Sequence, residues 1–296
     1  MTWTTTRDLA VYDRAAGAFL RARPTVHTVL LSVTAALRSI GTDAYGDDAP
    51  LFGWWRPHGQ DGPDRLAGSE GRADVGAAFV WTPPRPVLLS PMPDEAAAAL
   101  VAALTAEGLG IPGVNGRRAV VEAAAGAWQR RHGGPVTVTG RRRLYRLGEL
   151  TPPVPAPPGR ARPATTADRG LLLDWFTAFA AETGGSAPRT RAVDERIAGG
   201  RCLLWETAGR PVSLAGRTPT LSGMTRITPV YTPPELRGRG YAGAVTAALS
   251  RAARDAGGPE LLLFTDVSNP TSNALYGRLG YRPVEDHVVM EFGRQR

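Results

Sequence analysis

The chain has 296 residues, enough for two domains of ordinary size, and its 43% apolar and 21% charged residues are typical of globular proteins. No apolar run approaches the length that spans a bilayer, so no membrane association is expected. A single cysteine, Cys202, and four scattered histidines exclude an internal disulfide framework and argue against a metal centre. The first residues lack an apolar segment followed by a small-residue cleavage site, which predicts a cytoplasmic location.

The net charge of +8 raises the question of a nucleic-acid partner. All 35 basic residues are arginine, however, in a chain rich in alanine, glycine and proline, which is the bias that GC-rich codons produce. Dense clusters occur only at Arg141–Arg143 and at Arg237 and Arg239, without a recognised docking motif. We therefore expect no nucleic-acid partner; a basic nucleic-acid-binding module would instead associate with DNA or RNA in a steeply salt-dependent way.

The first half of the chain contains two predicted strands and a predicted helix. The run from Leu88 to Glu95 predicts a strand that ends in a proline turn, and the alanine-rich segment after it predicts a helix that reaches Leu104. The segment Ala127–Gly133 is followed by a predicted strand from Val136 to Leu147.

A proline-rich segment, Thr151–Gly159, separates the two halves of the chain. It cannot sustain a helix or a central strand, because proline lacks the amide donor and fixes its own backbone torsion. We therefore predict a domain at residues 1–150, an extended linker at residues 151–161 and a second domain at residues 162–296.

The second domain begins with a predicted helix and a hairpin. Thr165 and Asp168 resemble a capping box in front of apolar residues at helical spacing. Two apolar runs flank Ala208-Gly209, which predicts a tight turn between two strands. A third strand is predicted from about Thr225 to Thr232.

Two further helices and two further strands follow. A glycine-rich turn precedes a helix, and the apolar run Leu261–Phe264 is typical of a strand covered on both faces. A short helix is predicted between an Asn269 cap and Gly280, with a half-buried strand from Val284 to Phe292 after it. The order predicts an α/β fold with a mixed sheet.

The two halves of the chain resemble each other. The segment Leu88–Leu104 echoes Val230–Leu249, and the positions that it lacks fall where the second half has its glycines. The segment Ala127–Gly133 likewise resembles Leu275–Gly280. We interpret the first half as a degenerate copy of the second without the glycine-rich loop.

The glycine-rich turn Arg237–Ala242 follows a predicted strand and opens a predicted helix. Glycines let the backbone approach a ligand closely, and the free amides of a first helical turn bind phosphate oxygens. A bare turn without a ligand is the alternative. The spacing is neither that of a dinucleotide-binding motif nor that of a nucleotide-triphosphate loop, since the chain contains no lysine.

With this motif, residues 162–293 resemble the GNAT superfamily of acyl-CoA-dependent N-acyltransferases, whose motif is matched by Arg237, Gly240 and Ala242. The resemblance implies the GNAT fold, with the glycine-rich turn holding the coenzyme A pyrophosphate and the preceding strand pairing with the pantetheine arm. The residues so implied are Arg237, Gly238, Arg239, Gly240, Tyr241, Ala242 and Gly243 in the turn, and Val230, Tyr231 and Thr232 in the strand. Pro229 fits the edge or bulge that such a strand needs.

A second family element is the segment Asn269–Tyr276, followed by Gly280-Tyr281. The resemblance implies that Asn269 contacts the cofactor and that the Tyr276 hydroxyl lies near its sulfur, where a phenol suits a general acid. Two structural roles remain open: Asn269 as a helix cap, and Tyr276 as a packing residue.

The expected reaction is direct attack of an amine on the thioester, with backbone amides near Val230 stabilising the oxyanion. Family members often carry a glutamate five residues before the asparagine, but Phe264 stands there, so the general base is unassigned among Asp266, Glu206, Glu182 and His287. Cys202 opens an apolar strand and is expected to be a buried structural thiol.

Taken together, the sequence predicts an acetyl-CoA-dependent N-acetyltransferase without a metal. Its partner is a small-molecule or peptide amine, whose identity the sequence does not reveal; the oligomeric state is also open. The alternative is a noncatalytic sensor that binds acyl-CoA.

Overall fold

The computed structural model describes residues 2–57, 74–185 and 187–293 and divides into two compact units. Unit 1 contains residues 1–142 and 286–296, and unit 2 contains residues 143–285. These units are defined by contacts in space, whereas the predicted domains follow the sequence, and the two sets of bounds therefore differ.

The strands and helices of the first half of the chain alternate in the order β-α-α-β-β-β-α-β-α-β. They are β1 (Thr2–Thr6), α1 (Leu9–Ala22), α2 (Thr28–Ser39), β2 (Leu51–Arg56), β3 (Ala77–Trp81), β4 (Val87–Leu89), α3 (Asp94–Ala106), β5 (Gly113–Arg117), α4 (Arg118–His132) and β6 (Val136–Leu147).

The second half of the chain repeats this order, with two short 3-10 turns added at Thr166–Asp168 and Pro234–Leu236. Its elements are β7 (Arg160–Pro163), α5 (Arg169–Glu182), α6 (Thr190–Ala198), β8 (Cys202–Thr207), β9 (Arg210–Arg217), β10 (Met224–Tyr231), α7 (Tyr241–Asp255), β11 (Glu260–Asp266), α8 (Pro270–Arg278) and β12 (Tyr281–Phe292). This agreement supports the interpretation of a duplicated fold, which stays a prediction.

Each unit has a mixed sheet that contains a parallel strand pair. In unit 1 the strand order is β1-β2-β3-β4-β5-β12, and β4 and β5 are parallel. In unit 2 the order is β7-β8-β9-β10-β11-β6, and β10 and β11 are parallel. A parallel pair needs a crossover connection, and helices α3 and α7 provide it. The predicted α/β fold with a mixed sheet is confirmed.

The last strand of each sheet comes from the other half of the sequence. Residues from Asp286 onward, in β12, belong to unit 1, where His287–Glu291 pair antiparallel with β5. Residues from Arg143 onward, in β6, belong to unit 2. There, Tyr145 and Leu147 lie in the core with Leu261, Leu263 and residues of α7. The two halves of the chain have therefore exchanged their final strands.

Several local predictions for unit 2 are confirmed. Thr165 and Asp168 form a capping box in front of α5. Ala208 and Gly209 both have positive φ, as the tight turn between β8 and β9 requires. Asn269 caps α8 by accepting a hydrogen bond from the Ser272 amide at 3.0 Å.

The sequence analysis missed other elements. Helix α6 and the first three strands of unit 1 were not predicted, and the end of the expected linker, Arg160-Ala161, pairs with β8 as part of β7. Within residues 2–57, 74–185 and 187–293, no helix is long and apolar enough to cross a membrane.

Candidate functional site

The parallel strands β10 and β11 separate toward their carboxyl ends. The last residues that pair between the two strands are Arg226 and Leu262. The pairing of β10 with its other neighbour shifts register between Ile227 and Val230. Pro229, where an edge or a bulge was expected, therefore lies in an irregularity of the bulge type. The guanidinium of Arg196 donates a hydrogen bond of 2.8 Å to the Thr228 carbonyl within this bulge. A gap therefore opens between the ends of the two strands.

The amino-terminal end of α7 faces the same gap. Its N-cap, Gly240, has φ of +83° and provides no side-chain cap, and the first turn contains no acidic residue. The first amides of a helix have no acceptor within the helix and carry the positive end of its dipole. A Cβ on Gly243, one turn further on, would lie 3.0 Å from Leu275 Cδ1, so a larger residue there would require that side chain to move. This end of α7 is therefore suited to an anion.

A cleft of about 610 Å³ joins the gap to the end of α7. The structure brings every predicted site residue to this cleft, and Phe179 of α5, Phe264 and Asp266 of β11 also line it. The predicted residues that line it are Val230, Tyr231, Thr232, Arg237, Gly238, Arg239, Gly240, Tyr241, Ala242, Gly243, Asn269 and Tyr276. Their roles toward a ligand stay predictions.

Tyr276 lies at the base of the cleft. Its side chain is 8% exposed, and its ring meets the Tyr281 ring edge-on at 5.9 Å between centroids. Burial raises the pKa of Tyr276 above its usual value, because the phenolate would lose its hydration. Tyr276 is consequently a neutral phenol at physiological pH. Its packing role is therefore present, and its position allows the predicted acid role as well.

Arg237 is held by protein acceptors on two sides of the cleft. Its Nε donates to the Thr232 carbonyl at 2.9 Å, and its Nη2 donates to both carboxylate oxygens of Glu182 at 2.6 and 2.8 Å. The guanidinium also lies 5.8 Å from the centre of the Tyr231 ring. Glu182 is thus committed to Arg237, which weakens its candidacy as the general base.

The other candidate bases have distinct positions. Asp266 lines the cleft, and its Oδ1 accepts hydrogen bonds from the amide and hydroxyl of Ser268. Glu206 lies outside the cleft and accepts a hydrogen bond of 2.6 Å from Arg162. His287 is buried on the part of β12 that belongs to unit 1. The structure therefore leaves Asp266 and Glu182 at the site and removes Glu206 and His287 from it.

Cys202 is buried at the start of β8, and burial raises the pKa of its thiol. A raised thiol pKa opposes formation of the thiolate that nucleophilic catalysis needs. The expected structural thiol is confirmed.

Sequence reasoning missed two features of the site. The first is Asn273, whose side-chain amide bonds to the connection between β11 and α8. Its position one helical turn after Asn269 was a usable signal. The second is the proline-rich segment, whose Pro153 and Pro157 lie beside Gly243 and Gly240 in unit 2. Nothing in the local sequence indicates that packing.

Comparison with known proteins identifies the class to which this fold belongs. Residues 207–289 match the family model described as FR47-like protein. The structure resembles an acetyltransferase of the GNAT family from Colwellia psychrerythraea over 100% of both chains, with a TM-score of 0.61 and 11% identity. It also resembles a GCN5-related N-acetyltransferase from Sphaerobacter thermophilus over 98% of this chain and 95% of that one, with a TM-score of 0.61 and 17% identity.

A Drosophila protein is similar over 98% of both chains, with a TM-score of 0.65 and 13% identity. No curated protein sequence matches the chain. At these identities the likeness defines the fold, and the chain has the fold of the GNAT acetyltransferases. The predicted resemblance to the GNAT superfamily is thereby confirmed.

Proposed function

We propose that this protein is an N-acetyltransferase that transfers an acetyl group from acetyl-CoA to a primary amine by direct attack. The observation that carries the proposal is the cleft between the ends of β10 and β11, which leads directly to the uncapped amino-terminal end of α7. An elongated molecule with a thioester at one end and a diphosphate at the other matches these two features.

The residues of the cleft fit such a molecule. The amides of the first turn of α7, with the preceding glycines, provide donors for diphosphate oxygens. Gly238 has φ of +77° and open space around its Cα, so the backbone is accessible there. Val230, Tyr231 and Thr232 offer the backbone of a splayed strand to the extended arm. Arg239 and Arg278 add positive charge along the same cleft.

The chain's own residues would divide the chemistry between them. When bound, acetyl-CoA supplies an activated acetyl thioester. Backbone amides near Val230 would hold and polarise the thioester carbonyl oxygen. The Tyr276 hydroxyl, kept protonated by burial, would give its proton to the departing sulfur. The new carbon–nitrogen bond forms as the carbon–sulfur bond breaks, and the amine loses a proton to solvent or to a carboxylate.

The acceptor is proposed to be a small-molecule or peptide amine. Phe179 and Tyr231, which line the cleft, provide aromatic surface that an acceptor can contact. The proposed setting is cytoplasmic, without a metal or a nucleic-acid partner.

A noncatalytic acyl-CoA sensor is the second candidate. The observation that favours it is the state of the carboxylates at the cleft: Glu182 is bonded to Arg237 and Asp266 to Ser268, while Phe264 occupies the position of the family glutamate. A sensor would keep the phosphate-binding end without needing a base.

Incubation of the protein with acetyl-CoA and a panel of amines, with free thiol recorded over time, tests the proposal. The panel should include amino acids, polyamines, aminoglycosides and peptides with free amino termini. Amine-dependent thiol release is expected with at least one class. Tight CoA binding without release in any class would favour the sensor, and the lack of both would contradict both candidates.

A further inference from the structure

The side chain of Asn273, in the first half of α8, is bonded at both ends. Its Nδ2 donates to the carbonyl oxygens of Asp266, Val267 and Asn269 at 3.0, 3.2 and 2.8 Å. Its Oδ1 accepts hydrogen bonds from the hydroxyls of Tyr145, at 3.1 Å, and Thr265. A primary amide has two N–H donors and one carbonyl acceptor with two lone pairs. The contacts therefore use its full bonding capacity.

These bonds connect three elements of unit 2. Tyr145 lies on β6, Thr265 on β11 and Asn273 on α8, and the three carbonyls belong to the end of β11 and the connection that follows it. The orientation of the amide follows from its partners, because the opposite orientation would set its oxygen against three carbonyl oxygens. The β11–α8 connection is therefore curled around one side chain.

The connection leads directly into the cleft. Asn269, at its end, lines the cleft and caps α8. Tyr276 lies three residues after Asn273 on the same helix, and residues three apart share a helix face. Any change in the path of the connection therefore moves Asn269, and any rotation of α8 moves the Tyr276 hydroxyl.

The corresponding part of unit 1 lacks this arrangement. There α4 begins at Arg118, immediately after β5 ends at Arg117, so no connection has to be held. The sequence likeness between the two helices pairs Tyr276 with Trp128 and therefore Asn273 with Ala125, which is 4% exposed. The hydrogen bonds around Asn273 therefore have no counterpart at the matched position of unit 1, and they occur in the unit that has the open cleft.

We propose that Asn273 is a positioning residue for acyl transfer, which holds the β11–α8 connection so that Asn269 and Tyr276 face the gap between β10 and β11. This inference rests on the proposed function. Asn273 is not among the described residues that line the cleft, and in this proposal its effect passes through the three carbonyls that its Nδ2 group binds.

Two variants test the contacts at the two ends of the Asn273 amide separately. Asn273→Asp keeps an acceptor for Tyr145 and Thr265 but sets a carboxylate oxygen against the carbonyls of the connection, which destabilises the curled path. Tyr145→Phe removes one bond at the other end and leaves the carbonyl contacts intact. For each variant, CoA affinity is measured by calorimetry, kcat and KM by thiol release, and Tm by thermal unfolding.

We expect Asn273→Asp to weaken CoA binding at least tenfold and to lower kcat, while Tyr145→Phe lowers Tm with CoA affinity within twofold of wild type. If Asn273 had only a structural role, CoA affinity would instead fall together with Tm in both variants. If Asn273→Asp does not fold, Asn273→Ala replaces it. If a folded Asn273 variant has CoA affinity and kcat within twofold of wild type, the positioning role of Asn273 is wrong, whereas the proposed function is unaffected. Failure of the wild-type protein to bind CoA would overturn the proposed function and this inference with it.

Discussion

Units 1 and 2 have the same order of elements and the same position for their parallel strand pair, yet they differ at the end of that pair. In unit 2 the pairing of β10 with β11 ends at Arg226 and Leu262, while both strands continue and a gap opens between them. In unit 1, β4 ends at Leu89, and a Cβ on Gly116 of β5 would lie 3.0 Å from the Leu89 carbonyl oxygen. In unit 1 the pairing also ends before the strands do, at Leu88 opposite Asn115, but β4 stops one residue later and remains close to β5 there.

The helices that follow these strands differ in charge. Helix α7 begins after glycines with positive φ and without an acidic residue, whereas α3 begins with Asp94 and Glu95 after Pro93. Acidic residues stabilise a helix at this end because they complement its dipole, but they repel a phosphate group. A depression of about 390 Å³ in unit 1 lies elsewhere, between Arg7, Pro83 and Pro112. The two units therefore differ at the strand ends and in the first helical turn, the two places where the proposed ligand site lies.

The largest expected effect concerns Tyr276 in unit 2. Removal of its hydroxyl in Tyr276→Phe should lower kcat by about 100-fold or more, since general acid catalysis contributes that much, with CoA affinity within twofold. The matched position in unit 1 is Trp128, which stacks on Phe292 at 4.4 Å, and Trp128→Phe should leave kcat unchanged. Steady-state thiol release measures kcat for both variants. If Tyr276→Phe has the same kcat as wild type, Tyr276 is not the general acid.

The second prediction concerns the start of unit 2. Arg162 bonds to Asp168 at 2.8 Å and to Glu206 at 2.6 Å. The hydrogen bond from Arg162 to Asp168, with those from Thr165, lowers the pKa of Asp168 to about 2. Because this pKa is depressed, the stabilisation is present above the ordinary aspartate pKa near 4 and is lost as pH falls toward 2. Asp168→Asn should therefore lower the free energy of unfolding by about 2 kcal/mol at pH 7.

Urea unfolding at several pH values measures this effect. The difference between wild type and Asp168→Asn should shrink between pH 4 and pH 2. The exposed pair of Arg169 and Asp194 provides a control, because Asp194→Asn should change stability less. A difference that stays constant down to pH 2 would contradict the assigned ion pair.

The third prediction tests the glycine-rich turn. A side chain at Gly240, with φ of +83°, adopts a left-handed conformation that costs about 1–2 kcal/mol. Gly240→Ala relieves this strain when the turn moves, and CoA binding would then have to restore the original path of the turn at that cost. Affinity should therefore fall about tenfold, since 1.4 kcal/mol is a factor of ten. Gly209, with φ of +72° in the β8–β9 turn, is the matched control: Gly209→Ala carries similar strain and should leave CoA affinity unchanged. Equal affinity in both variants would mean that the turn does not hold the ligand.

The smallest expected effect is in unit 1. The Asp8 carboxylate caps α1 by accepting hydrogen bonds from the amides of Ala10 and Val11 at 2.7 and 3.1 Å. Asp8→Ala should lower the free energy of unfolding by about 1 kcal/mol, while Asp8→Asn retains most of the cap. Chemical unfolding measures the loss, and calorimetry should show unchanged CoA affinity. A marked loss of affinity would show that unit 1 takes part in binding.

The sequence predicts the parts of this molecule that depend on neighbouring residues. The capping box at Thr165, the turn at Ala208-Gly209 and the Asn269 cap are all local patterns. The motif at Arg237–Ala242 likewise led to the cleft, since its residues lie at one strand–helix junction.

The features that the sequence did not reveal depend on distant partners. The exchange of β6 and β12 was not predicted, because the hydrophobic pattern of a strand does not identify the strand with which it pairs. The bond between Glu182 and Arg237 joins residues 55 positions apart. Helix α6 has one buried residue, Val193, so its periodic signal is weak.

Titration of the wild-type protein with CoA by isothermal calorimetry shows whether the ligand binds to unit 2 alone. We expect one molecule of CoA bound per chain, with affinity reduced in Gly240→Ala and unchanged in Gly209→Ala. Two molecules bound per chain, no binding, or binding that is indifferent to Gly240 would contradict it.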